Sequence, residues 1–77
     1  MGDAEYIIYG KPNCSYCVAA VEFLEHIDVT FDYINLDESP EDLQFIKDNG
    51  FTRVPQVFQG DDHIGGYTDL LAHVNNR

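Results

Sequence analysis

The 77 residues are the length of one domain, residues 1–77. Fourteen acidic against four basic residues give a net charge of -10, which argues against nucleic acid and anionic membrane surfaces as partners. A 44% hydrophobic content with aromatic residues spread along the chain argues against disorder, and no apolar run approaches the roughly 20 residues of a membrane span.

Glu5 to Gly10 predicts a strand: its apolar run is nearly continuous, as in a strand covered on both faces. Gly10-Lys11-Pro12-Asn13 is the turn that follows, with Asn13 the expected cap of the next helix. That helix runs from Cys14 to about Ile27. Val18, Val21, Leu24 and either Ala19 or Ile27 fall at helical spacing on its inner side, and His26 belongs on the wet side. Thr30 to Leu36 is a second strand, which makes a βαβ unit of parallel strands with a right-handed crossover. Ser39-Pro40-Glu41-Asp42 is a helix start, with Ser39 as cap, Pro40 in the first helical position and acids in the first turn. Leu43 and Phe45 or Ile46 supply that helix's buried side, and Gly50 suits the left-handed position after it.

Phe51 to Val54 leads into a third strand, Pro55 to Gln59, with Pro55 admissible at its beginning. Gly60-Asp61-Asp62 turns the chain into a short fourth strand at His63-Ile64. After Gly65-Gly66, Tyr67 to Val74 is a final helix with Asp69 in its first turn. The fold class is α/β, in the order β-α-β-α-β-β-α.

Chemistry concentrates at Cys14-Ser15-Tyr16-Cys17, which holds the chain's two cysteines. The pair lies where a strand turns into a helix. Cys14 then falls in the first helical turn, where unpaired N–H groups and the helix dipole favour a thiolate. Cys17 shares its helix face. A structural disulfide is the weaker alternative, because a bridge enclosing two residues removes little unfolded-state entropy. A zinc site is weaker too, since there is no second cysteine pair and His26, His63 and His73 are scattered. Among the scarce cations, Lys11 lies three residues before Cys14 and Arg53 just before Val54-Pro55. Near the thiols they would stabilise a thiolate and attract an anionic substrate, although short loops often carry such residues for solubility alone. The N-terminal residues Met-Gly-Asp-Ala-Glu lack the features of a signal peptide or a myristoylation motif, so the expected compartment is the cytoplasm. A cysteine pair there is more often catalytic or metal-binding than structural.

Lys11 to Cys17, then Val54-Pro55-Gln56-Val57-Phe58, then Gly65-Gly66-Tyr67-Thr68-Asp69, together resemble a glutaredoxin. The resemblance spans nearly the whole chain. It implies the thioredoxin-like fold, with a four-stranded mixed sheet flanked by helices. It also implies passage of electrons from glutathione to protein disulfides and to glutathionylated proteins, ribonucleotide reductase being a family-level example. On these residues it makes Cys14 the nucleophile, Cys17 the resolving thiol and Pro55 a cis proline beside them. Val54 would pair through its backbone with the cysteine of glutathione. Gly66, Tyr67, Thr68 and Asp69 would grip the γ-glutamyl end, with Lys11 and Tyr16 lining the glycyl side. Tyr16 also has a plain packing reading.

Three departures stand out. Ser15 replaces the family's usual Pro, and some members with Ser there bind a 2Fe-2S cluster between two subunits, with glutathione as co-ligand and the nucleophilic cysteine, here Cys14, on the metal. Arg53 replaces the usual Thr and puts a second cation near the glycyl carboxylate. Asp42 stands in the stretch of the second helix where many members use Gln or a base. The expectation is therefore a monomeric dithiol glutaredoxin with no resident metal. The rival readings are a cluster-bridged dimer and a redoxin served by thioredoxin reductase.

Overall fold

In the computed structural model residues 4–75 are described. Four strands form one sheet in the order β2-β1-β3-β4. They are β1 (Tyr6–Gly10), β2 (Phe31–Asn35), β3 (Gln56–Gln59) and β4 (Asp62–Gly65). The helices are α1 (Ser15–His26), α2 (Pro40–Asp48) and α3 (Tyr67–Asn75). β1 runs parallel to β2 and antiparallel to β3, and β3 and β4 form the hairpin. The mixed sheet and the element order are those the sequence predicts.

β1 alternates between buried Tyr6, Ile8 and Gly10 and half-buried Ile7 and Tyr9. Only one of its faces is fully covered, contrary to the expectation of a strand buried on both. On that face Tyr6, Ile8 and Val57 meet Ala20 and Leu24 of α1 and Leu70 of α3. The opposite face carries an aromatic layer under α2, in which the Tyr9 ring lies 5.7 Å from Phe45 and 5.5 Å from Phe58. One nine-residue helix shields this layer, and Phe45 stays 40% exposed while Ile46 is buried.

Of the inner side predicted for α1, Leu24 is buried and Val21 and Ile27 pack against the core, but Val18 does not. Cys17, Ala20 and Leu24 are buried, whereas Val18 is 53% exposed. Leu36 is buried as well, but in a short 3₁₀ turn (Leu36–Glu38) after β2 and not in the strand. Ser39 caps α2 without a side-chain bond to the backbone, and its hydroxyl donates to the Asp42 carboxylate instead. Gly50 takes a φ of 78°, the left-handed value expected after a helix. His26 is exposed. Among the described residues no helix is long and apolar enough to cross a membrane.

Candidate active site

The turn after β1 delivers the first cysteine to the end of α1. Asn13, expected as the cap, instead has a φ of 60° and swings the chain so that Cys14 becomes the cap residue. Cys14 therefore sits just outside the first helical turn. Its sulfur accepts the backbone N–H of Cys17 at 3.1 Å, in the place where a Ser or Asp oxygen usually caps a helix. No acid stands in the first turn of α1 to compete for that positive end. Cys14 is partly exposed and Cys17 fully buried. The two are joined as a disulfide, with Cα atoms 5.1 Å apart.

Gly10 explains how Cys17 fits beneath the strand end. A Cβ built there would lie 2.9 Å from Cys17 Sγ and would also strike the Tyr33 ring. The Tyr33 hydroxyl donates to the Lys11 carbonyl at 3.2 Å, which ties β2 to the turn before the cysteines. Burial holds the Tyr33 phenol above its ordinary pKa.

A second backbone segment faces the sulfurs. The Val54–Pro55 bond is cis, and the Val54 carbonyl oxygen lies 4.0 Å from Cys14 Sγ. Gln56, nearly buried, donates from its side chain to the Arg53 carbonyl at 2.9 Å and shares a 2.7 Å bond with His63 of β4. The loop is thus braced from behind by the hairpin. The third wall is the start of α3. There Asp69 accepts the Gly66 N–H at 3.0 Å, and the Gly66 carbonyl accepts from Leu70 at 2.9 Å. The first bond is one half of a capping box, the side chain of the third helical residue reaching back to the N–H before the helix, and the second is the first backbone bond of the helix. Gly65, with a φ of 125°, has no room for a Cβ, which would fall 2.8 Å from the Asp69 carboxyl carbon.

These walls enclose a cleft of about 380 Å³ lined by Tyr16, Arg53, Val54, Pro55, Gln56, Gly66, Tyr67, Thr68 and Asp69. The rings of Tyr16 and Tyr67 stand 6.0 Å apart across it. Lys11 is not in this cleft. It lines an adjoining depression of about 240 Å³ that shares Arg53 and Val54 with the cleft and adds Lys47.

The family match takes in the cysteine pair and the Val54–Pro55 segment and ends before the start of α3. Residues 6–64 fit the glutaredoxin family. The chain belongs to the glutaredoxin family. It is 36% identical over 76 residues to glutaredoxin 1 of Escherichia coli strain K12, covering 88% of this chain and 89% of that one. It is 40% identical over 65 residues to a glutaredoxin of Neisseria meningitidis, with 82% and 76% covered. Among solved structures, a buckwheat glutaredoxin–glutathione complex superposes with a TM-score of 0.80 at 25% identity, covering 95% of this chain and 70% of that one. The E. coli glutaredoxin-like protein NrdH-redoxin, described by its thioredoxin-like activity profile, also gives 0.80, at 28% identity with 90% and 91% covered. The fold is thioredoxin-like, and membership with an intact cysteine pair makes the protein a thiol–disulfide oxidoreductase.

Every site residue named from the sequence falls at the cysteines, in the cleft or in the adjoining depression. Asp42, weighed for its place in α2, lines neither. It accepts from Ser39, and its charge adds to the burial that raises the Tyr9 pKa. α2 reaches the depression through Leu43, Ile46 and Lys47, and Lys47, its one charged contribution, has no signal in the sequence that points there. In the sequence Gln56 stands out only as part of the Val54 to Phe58 motif. A polar side chain between Pro55 and Val57 at the start of a buried strand was the available signal, because a buried amide needs partners.

Among the described residues no group of three or more His, Cys, Asp or Glu side chains could hold a metal ion. A 2Fe-2S cluster on Cys14 would need its other ligands from outside this chain. The residues present do not by themselves fit one.

Proposed function

We propose that the protein reduces disulfides and glutathione mixed disulfides with glutathione as its reductant. The single observation that carries this is a partly exposed Cys14 sulfur at the helix start, facing the free backbone edge at Val54 across a cleft with polar ends. In the reduced protein the Cys14 thiolate attacks the substrate disulfide, forms a mixed disulfide and releases one substrate thiolate. Cys17 then attacks Cys14 Sγ, expelling the second thiol and leaving the Cys14–Cys17 disulfide. Two glutathione molecules return the two electrons and leave as glutathione disulfide. For a glutathionylated substrate, the glutathione left on Cys14 is removed by a second glutathione.

Glutathione would lie along Val54, pairing with its backbone like an added strand. Its γ-glutamyl end would meet Gly66, Tyr67, Thr68 and Asp69. Asp69 already accepts the Gly66 N–H through one oxygen, so its other oxygen would take the α-amino group. The glycyl carboxylate would face Lys11, Arg53 and Lys47, with Tyr16 and Pro55 packing on the cysteine between them. The substrates would be disulfide-bearing and glutathionylated proteins in a reducing compartment.

The test is a coupled assay with glutathione, glutathione reductase and a mixed-disulfide substrate. Robust turnover supports the reading. The likeness to NrdH-redoxin favours a second one, in which thioredoxin reductase supplies the electrons. Turnover with that reductase and none with glutathione would establish the second in place of the first. An iron–sulfur dimer is checked separately by visible absorbance and mass after anaerobic purification.

A further inference from the structure

The sequence has four basic residues, and Arg77 lies outside the described segment. The other three, Lys11, Lys47 and Arg53, come from three separate segments, and all line the same 240 Å³ depression. On a chain of net charge -10 this gathers the described positive charge at one spot beside the active-site sulfurs. The floor of the depression is apolar, built from Leu36, Leu43, Ile46 and Phe51. A glycyl carboxylate could use the cations, but glycine has no side chain to fill that floor. An anion alone leaves half of the site unused.

Val54 belongs to both the cleft and the depression, so a strand paired on Val54 crosses from one to the other. Asp69 stands at the cleft end and the three cations at the other. The orientation proposed for glutathione, carboxylate toward the cations, then puts the residues that follow the substrate cysteine in the depression. We infer that the depression is a selectivity pocket for protein substrates whose reactive cysteine is followed by a bulky apolar residue and then an acidic one. The apolar side chain covers Leu43 and Phe51, and the carboxylate meets Lys11, Lys47 and Arg53. This rests on the orientation proposed above and adds a substrate class to it.

The experiment is single-turnover reduction of symmetric peptide disulfides by the fully reduced protein, with no glutathione present. Each turnover converts one peptide disulfide to two peptide thiols and the two protein thiols to the Cys14–Cys17 disulfide. Four N-acetylated peptide amides are compared: Ala-Cys-Gly-Gln, Ala-Cys-Leu-Gln, Ala-Cys-Gly-Glu and Ala-Cys-Leu-Glu. Leu in place of Gly is expected to lower the half-saturating concentration by roughly three- to tenfold, as partial burial of its side chain implies. Glu in place of Gln is expected to lower it about threefold at low salt, with the gain lost at high salt. The limiting rate should change little, since these contacts form before the chemistry and persist through it. Lys47→Ala should reduce the Glu gain and keep the Leu gain.

Equal half-saturation for all four peptides overturns the inference, as does a Glu gain that Lys47→Ala leaves intact. Because the wild-type series needs no variant, a poorly folded Lys47→Ala protein does not blunt the test. A protein that discriminates the peptides but fails the glutathione assay loses only the glutathione reading. One that turns over with glutathione but treats the peptides alike loses only this inference.

Discussion

Two helices point their starts at the same cleft, and they are finished differently. α1 is capped by a sulfur, Cys14 Sγ accepting from Cys17 N, with no acid in its first turn. α3 is capped through a carboxylate, Asp69 accepting from Gly66 N. A helix end presents the same orphan N–H groups and the same partial positive charge in both places. At α3 a carboxylate that the disulfide chemistry does not consume accepts the Gly66 N–H, which stabilises the helix start and fixes the wall. At α1 the stabilising group is also the reacting group, so its charge comes and goes with the chemistry. One start is therefore scaffold, and the other holds the reactive atom.

The largest effects should come from removing the sulfur cap. Cys14→Ser leaves an oxygen able to cap the helix but unable to form a disulfide, so reduction of every disulfide substrate should fall to background while the thermal midpoint holds. A Cys14→Ser protein that retains measurable turnover would overturn the assignment of the nucleophile. Cys17→Ser should separate the two reactions. Protein disulfide reduction should drop on the order of a hundredfold, because nothing internal releases the trapped substrate. Deglutathionylation should persist or rise, since glutathione resolves that intermediate. Loss of both activities in Cys17→Ser would mean that both sulfurs act at once.

A smaller effect comes from making α1 resemble α3. Ser15→Asp places a permanent charge in the first turn beside Cys14. The helix gains a few tenths of a kcal/mol from the dipole, while the thiolate meets a like charge worth about 1 kcal/mol. Alkylation of reduced Cys14 at neutral pH should then slow by roughly fivefold. In the wild type the alkylation profile should rise below the ordinary thiol value of about 8.5. A profile unchanged by Ser15→Asp would show that the helix start does not activate Cys14.

At the other wall, Asp69→Ala should cost about 1 kcal/mol of stability through the lost cap, or some 5 °C in Tm. It should also raise KM for glutathione substrates with kcat little changed. Asp69→Asn, which can still accept from Gly66, should recover most of the stability but not the KM. Smallest are the single cation variants. Lys11→Ala and Arg53→Ala should each raise KM a few fold, with added salt doing the same to the wild type. A KM indifferent to both substitutions and to salt would leave these cations as surface residues.

The comparison between helix starts was only half visible in the sequence. Asp69 follows Gly66 at capping-box spacing and reads directly as a first-turn acid. For α1 the sequence pointed to Asn13 as cap, because Asn outranks Cys in capping preference. Asn13 also tolerates a positive φ, and the turn uses it for that instead, moving the cap one residue on to Cys14. Cys17 is buried against Gly10 in the first turn of the helix. Its inner face then runs through Cys17, Ala20 and Leu24, and Val18 is left outside.

What the sequence determined by itself is local: the strand and helix periods, the helix stop at Gly50, the hairpin turn, and the cysteine pair at a strand-to-helix junction. These depend on neighbours a few residues away, so spacing and residue type suffice. What only the tertiary structure decided is which distant groups meet. Lys11, Lys47 and Arg53 converge because the turn after β1, the last turn of α2 and the loop before β3 meet around one depression, and nothing in their spacing records that. Gln56 is buried because His63 and the Arg53 carbonyl give its amide partners. A buried polar group is stable only where such partners exist; the Arg53 carbonyl is local, but His63 reaches Gln56 only through the pairing of β3 with β4.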